Sequence, residues 1–302
     1  MAFEYLSRIL SMAKQSGRVR RLAVAAAGEQ VCLESVVVAR QEGLVEPALF
    51  GDAPVIEKLL KELGQSPADF RIVHEPDPMA SARLAAESLA SGESQMIMKG
   101  LIQTGDLLRV YFDKRYGLRQ DRPISHVGLF EVPGFGRLFA MTDAAINVAP
   151  DDDRMVAIAA NAVSFMRRLG WARPKVAMLA ASNRVQENQA ATVRAAKVAE
   201  RCGREMPEGL FAGPLAIDEA MSAEAAGTKR VAGPIQGDAD ILVVPTLEAG
   251  NVIYKTLTMF AHAKVLGACI GGRAPIVMTS RADNEETKLL SMALCCYLAD
   301  GG

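Results

Sequence analysis

The sequence predicts an α/β fold: two α/β domains with largely parallel sheets. Three observations carry that expectation. Short apolar runs suited to strands recur along the chain, segments with 3.6-residue apolar spacing lie between many of them, and one stretch breaks the rhythm near the middle. Half of the 302 residues are hydrophobic and only 5% are aromatic. Ala, Val, Leu and Ile make up that apolar bulk, the composition of packed helices and buried parallel strands.

The expected strands are RLAVAAA (21–27), PALFG (47–51), RIVH (71–74), QMIMK (95–99), KVAMLAAS (175–182), ILVVP (241–245) and PIVMTS (275–280). The expected helices between them include QVCLESVVVARQEG (30–43), APVIEKLLKELG (53–64) and DPMASARLAAESLASG (77–92). The exception is PISHVGLFEVPGFGRLFAMTD (123–143), which reads as strand, PGFG turn and strand, a β-hairpin. Pro150 and the three aspartates after it then mark a helix start with acid in its first turn. A new series of strands and helices begins at Lys175, so a domain change is placed near residue 145. The N-terminal 21 residues alternate charge with apolar positions at helical spacing and read as an amphipathic helix rather than a signal peptide.

Charge excludes one class of partner. The net charge of −1 gives no basic surface for nucleic acid. No apolar run reaches the ~18 residues needed to span a membrane. The five cysteines form no CxxC pair, and the three histidines lie far apart, so no metal site is expected. The cysteines read as small buried hydrophobes of a reducing, cytoplasmic protein. There is no GxSxG elbow, no GxxxxGK[ST] loop and no GxGxxG fingerprint after the first strand.

Four segments attract attention as sites. Thr279, Ser280 and Arg281 follow the last strand and precede a helix, where an anion finds free N–H groups and a positive dipole end. Ordinary capping by Ser280 or Asp283 explains the same residues. In KGLIQTGDLLRVYFDKR (99–115), Thr104 or Gly105 opens a helix and places Arg109 near an anion, or Arg109 simply pairs with Asp106 or Asp113. In LEAGNVIYKTLTMF (247–260), Asn251 can take left-handed backbone or cap a helix, with Lys255 near the first turn. GPLAIDEAMSAEAAGTKR (213–230) reads as a turn into a helix capped by Asp218.

Taken in order, KGLIQTGDLLR, TDAAINVAP, KVAMLAAS, GPLAIDEAMS, VPTLEAGNVIYK and PIVMTSRAD resemble the phosphate acetyltransferase and phosphate butyryltransferase family over nearly the whole chain. The resemblance implies a first domain of residues 1–144 with 266–302, a second of 145–265, and an active site in the interdomain cleft. It implies reversible transfer of a short acyl group between coenzyme A and inorganic phosphate, with acyl-CoA as substrate, no bound cofactor, and a homodimer or larger homo-oligomer. The family's Ser–Arg pair matches Ser280 and Arg281, and its anion-binding arginine matches Arg109. Thr104, Ser125, Asn251 and Lys255 join Arg109 as expected substrate contacts. The acetyl branch carries a catalytic aspartate where this chain has Thr287; Asp283 is the expected substitute, and TSRAD (279–283) looks more like the butyryl branch. The alternatives are a phosphate acetyltransferase proper, an enzyme using acyl carrier protein, and a non-catalytic sensor of coenzyme A or acyl phosphate. A 2-hydroxy acid dehydrogenase on a similar frame is a further one.

Overall fold

The computed structural model describes residues 5–120, 122–278 and 285–299. Its residues divide into two compact units. The first holds Ser7–Arg122 and the described residues from Leu266 onward; the second holds Pro123–Val265 with Tyr5 and Leu6. The division falls earlier than the change read near 145. The hairpin strands add to the sheet of the middle segment, through the β-pairing given below, and so carry the boundary with them.

In the first unit the chain runs α1 (Arg8–Gln15), β1 (Arg20–Ala25), α2 (Gln30–Gln41), β2 (Val45–Gly51) and α3 (Ala53–Glu62). It continues through β3 (Arg71–His74), α4 (Pro78–Ala90), β4 (Met96–Lys99) and α5 (Thr104–Tyr111). Local chemistry fixes these starts. Asp77 accepts the Ala80 N–H at 2.7 Å, and Pro78 at the first position of α4 loses no helical hydrogen bond.

The second unit begins with β5 (Ser125–Glu131) and β6 (Phe139–Thr142), antiparallel as the PGFG turn predicts. Then come α6 (Asp152–Arg168), β7 (Lys175–Leu179), α7 (Ala190–Glu205), β8 (Leu210–Leu215), α8 (Ile217–Met221) and α9 (Ala223–Thr228). β9 (Ile241–Val243) and α10 (Leu247–Phe260) complete it. Asp151 caps α6 through the Arg154 N–H at 2.8 Å. Its sheet has the order β5-β6-β9-β7-β8, parallel from β6 onward. The core between this sheet and its helices includes Phe130 stacked on Phe139 at 5.3 Å, with Leu179, Leu215, Leu242 and Val244.

The chain returns along β10 (Lys264–Ile270), then β11 (Ile276–Val277) and α11 (Glu285–Ala299). The first unit's sheet has the order β3-β2-β1-β4-β11-β10, with all pairings parallel except β10 with β11. α11 is buried almost all round, from Leu290 to Leu298, and packs on α1 and α2. Cys295 and Cys296 lie there, and all five cysteines are buried and outside any disulfide. Burial pushes the Cys296 thiol up to about 12, the behaviour of an inert core residue.

Three readings change. The run 213–230 is not one helix entered by a turn: its start belongs to strand β8, and two short helices follow. Asp218 is not their cap. Glu219 accepts the Ala216 N–H at 2.7 Å and Ser222 caps α9, while Asp218 pairs with Lys229 at 2.7 Å. Asn251 is not a cap either, because Thr246 holds that place and accepts from Ala249 N–H at 3.3 Å. One glycine is required outright: at Gly237, φ is +81° and an added Cβ would stand 2.1 Å from the Ser222 carbonyl carbon.

Candidate active site

β11 lies parallel to β4, with Ile276 opposite Ile97 and Val277 opposite Met98. Two parallel strands in register end at the same edge of the sheet. Ligands gather at such carboxyl ends. β4 ends at Lys99, and its exit loop leads to α5, which starts at Thr104 as expected. Lys99 Nζ donates to the carbonyls of Gly100 (3.2 Å) and Ile102 (3.1 Å), which holds that loop. Gly100 is packed so tightly that a Cβ would lie 2.2 Å from the Ala26 carbonyl oxygen.

Thr104 is half-buried in the first turn of α5, and Arg109 is exposed one turn on. The Arg109 Nη1 donates to Asp106 Oδ1 at 2.8 Å, so the pairing with Asp106 is the one realised. An exposed pair of this kind contributes only ~0–1 kcal/mol, which leaves the guanidinium open to a competing anion.

α5 is tied to the segment that leads into β11. The buried Tyr111 hydroxyl donates to the Ala274 carbonyl at 2.7 Å and accepts the Ala274 N–H at 3.0 Å. Gly272 makes this approach possible, since a Cβ there would lie 2.4 Å from the hydroxyl oxygen. Burial pushes the Tyr111 phenol up to about 12, so it stays a donor across the working pH range. Ser280, Arg281 and Asp283 lie outside the described residues.

The remaining expected contacts lie in the second unit. Ser125 is fully buried, and its hydroxyl accepts from Asn161 Nδ2 at 3.0 Å. In this arrangement the Ser125 hydroxyl is engaged by the fold. Asn251 and Lys255 are exposed on α10, in its second and third turns rather than its first.

The same unit holds a polar centre that the sequence reading passed over. The buried Asp143 carboxylate accepts four donors: the N–H groups of Ala145 (2.9 Å), Ile146 (3.0 Å) and Asn147 (3.2 Å), and Asn147 Nδ2 (2.6 Å). Asn147 Nδ2 also donates to the Ile124 carbonyl at 2.9 Å, joining the loop to the start of β5. The signal was present in TDAAIN, an aspartate followed by small residues that leave N–H groups at the second to fourth positions free to turn inward. Beside it His126 is buried with Nδ1 unpaired among the described residues. Its ring lies 6.2 Å from that of Tyr254 on α10. Burial pulls its pKa below the ordinary value, with the charge of Asp143 opposing. No cluster of His, Cys, Asp and Glu suited to a metal occurs among the described residues. No helix among them is long and apolar enough to cross a membrane.

A two-unit α/β frame, with sequence motifs at the carboxyl ends of adjacent parallel strands, matches known acyltransferases. The family described as phosphate acetyl/butaryl transferase matches residues 54–296, and the chain belongs to that family. It is 37% identical over 98% of its length to the whole of a phosphate acetyltransferase of Thermotoga maritima. It is 38% identical over 95% of its length to 96% of a phosphate butyryltransferase of Clostridium acetobutylicum. The crystal structure of a branched-chain phosphotransacylase from Enterococcus faecalis superposes with a TM-score of 0.82 at 34% identity, covering 93% of this chain and 99% of that one. The chain is accordingly a transferase of the phosphate acyltransferase class.

Proposed function

We propose that the chain moves a short acyl group of about four carbons, straight or branched, between coenzyme A and inorganic phosphate, with Ser280 and Arg281 at the reacting centre. The supporting observation is the parallel register of Val277 with Met98, which ends β11 beside β4 and starts both exit segments from one edge of the sheet. Thr104 and Arg109 follow one of these strands. Ser280, Arg281 and Asp283 follow the other in the sequence.

Phosphate is partly dianionic at neutral pH, so it needs positioning more than deprotonation. Arg109 and Arg281 hold it through forked, charge-assisted hydrogen bonds, and the Thr104 hydroxyl adds a neutral donor. A phosphate oxygen attacks the thioester carbonyl. The C=O π electrons move onto oxygen, then return as the C–S bond breaks and the thiolate leaves. Ser280 donates to the developing oxyanion or to the leaving sulfur. In the reverse direction Asp283 takes the thiol proton, a useful step for a group of ordinary pKa ~8.5. Asn251 and Lys255 are assigned to the coenzyme, Lys255 as a cation for its phosphates. The protein acts in the cytoplasm as a homo-oligomer.

Preference for the longer chain rests on TSRAD (279–283), which looks more like the butyryl branch, and on the branched-chain phosphotransacylase of similar structure. The experiment is thiol release from acyl-CoAs of increasing length in the presence of phosphate. Each added methylene in an apolar pocket gains ~1 kcal/mol, so butyryl and isobutyryl should exceed acetyl by roughly ten-fold or more in kcat/KM. A preference for acetyl refutes the chain-length assignment. Thiol release that needs no phosphate refutes the acyltransferase step.

A further inference from the structure

A cavity of about 690 Å³ lies wholly within the second unit, over the edge strand β8 and bounded by α7 and the segment that follows α9. It contains none of the residues assigned to acyl transfer. Its volume falls within the ~300–1,000 Å³ of small-ligand sites. The floor is apolar: the half-buried Phe211 ring and Val231. α7 lines one side with the small residues Ala196, Ala199 and Gly203 and with Glu200.

Two arginines stand at its mouth. Arg184, in the loop after β7, and Arg230, after α9, are both exposed, and neither pairs with a carboxylate among the described residues. Their neighbour Lys229 does pair, with Asp218 at 2.7 Å and Glu219 at 3.5 Å. Glu200, the one carboxylate lining the cavity, lies 3.6 Å from Arg204, so neither cavity arginine is neutralised by it. Arg230 also sits where its residue type is unexpected. Its N–H bonds to the Gly227 carbonyl at 3.2 Å and that of Val231 to the Ala226 carbonyl at 2.9 Å, closing α9 with φ at +53°. Glycine is the usual occupant of that helix-ending position, because a Cβ is disfavoured there. Arginine keeps the strained backbone and gains a guanidinium at the rim of the cavity.

We propose that this cavity binds a phosphomonoester carried on a flat apolar body of mononucleotide size. The two guanidiniums match a phosphate dianion in charge and in forked donor geometry. Phe211 and Val231 take the face of the attached ring. Such chemistry has two sources, a free mononucleotide and the phosphorylated adenosine end of coenzyme A; the site is assigned to the free ligand.

The test is calorimetric titration of the full chain with AMP, alone and in saturating coenzyme A, with inorganic phosphate as the small-anion control. AMP should bind in both conditions, and more tightly than phosphate. The double variant Arg184→Gln/Arg230→Asn, in which asparagine tolerates positive φ, should weaken AMP by roughly ten-fold or more. Its kcat and its KM for acyl-CoA and phosphate should match wild type. Arg184→Gln alone, on an exposed side chain, gives the same reading if the double variant melts early. Absence of AMP heat at millimolar concentration overturns the proposal, as does equal affinity in the variants. Displacement of AMP by coenzyme A, with a raised acyl-CoA KM in the variants, overturns it too by giving the arginines to the coenzyme.

Discussion

Tyr111→Phe tests how the first unit holds α5 in place. The substitution removes one oxygen and keeps the ring, so no cavity of consequence forms. What it removes is a pair of bonds at 2.7 and 3.0 Å to a single residue, Ala274. The Tyr111 side chain is fully buried, so water cannot easily replace the hydroxyl. The Ala274 carbonyl and N–H are each left unpaired at ~1–3 kcal/mol, a total of roughly 2–6 kcal/mol. For a unit of this size each kcal/mol lowers the melting temperature by ~2–4 °C, so a fall of about 4–24 °C is expected. Urea unfolding should show a lower midpoint with an unchanged slope. Because Tyr111 belongs to α5 and Ala274 precedes β11, the kinetic signature should be a several-fold rise in phosphate KM. A melting temperature within about 1 °C of wild type would refute the claim that these bonds tie the two segments together.

Arg281→Ala should raise phosphate KM and lower kcat, whereas Ser280→Ala should lower kcat by about 10²–10³ with little change in KM. Near-wild-type turnover with a lowered melting temperature would make Ser280 a helix cap only. Gly237→Ala should destabilise by ~3 kcal/mol or more, because it combines a positive-φ penalty with overlap on the Ser222 backbone; a folded, wild-type melting curve would show that the loop yields. His126 gives a pH dependence. Its folded pKa is depressed below 6.5, so its contribution is complete above that value and is lost as pH falls below it, at up to ~1.4 kcal/mol per pH unit. His126→Gln should flatten the slope of urea midpoint against pH between pH 6.5 and 5, and an unchanged slope would assign the acid loss elsewhere.

Strand and helix alternation was legible because each buried strand is a compact apolar run and each helix start has its own chemistry. Asp77-Pro78 and Asp151 are readable as caps from the sequence alone. β10 was not read as a strand because Gly267 and Ala268 interrupt the apolar run that pairing later stabilises. β8 was missed for a related reason: it is an edge strand holding Gly213 and Pro214, residues that local propensity assigns to a turn. The start of α5 at Thr104 followed from local signals, but the contact of Tyr111 with Ala274 did not. It joins residues 163 positions apart, and only the sheet order brings them together. Asp143 was passed over despite the turn signal in TDAAIN, because three of its four donors are backbone N–H groups, which no residue type marks.

The interleaving of the two units bears on how the chain is made. β4 has β1 on one side and β11 on the other, and these arrive in very different order: β1 ends at Ala25, before β4, whereas β11 begins at Ile276. During synthesis the first unit must therefore wait with one edge of β4 open, and with the apolar surface later covered by α11 still bare. The middle unit, contiguous from Pro123 to Val265, has all its strands available sooner. A nascent chain stalled before β10 would expose an unpaired parallel edge rich in methionine and isoleucine, the kind of surface that recruits chaperones or aggregates. Deleting the final helix should accordingly cost the first unit its solubility rather than trim a terminus.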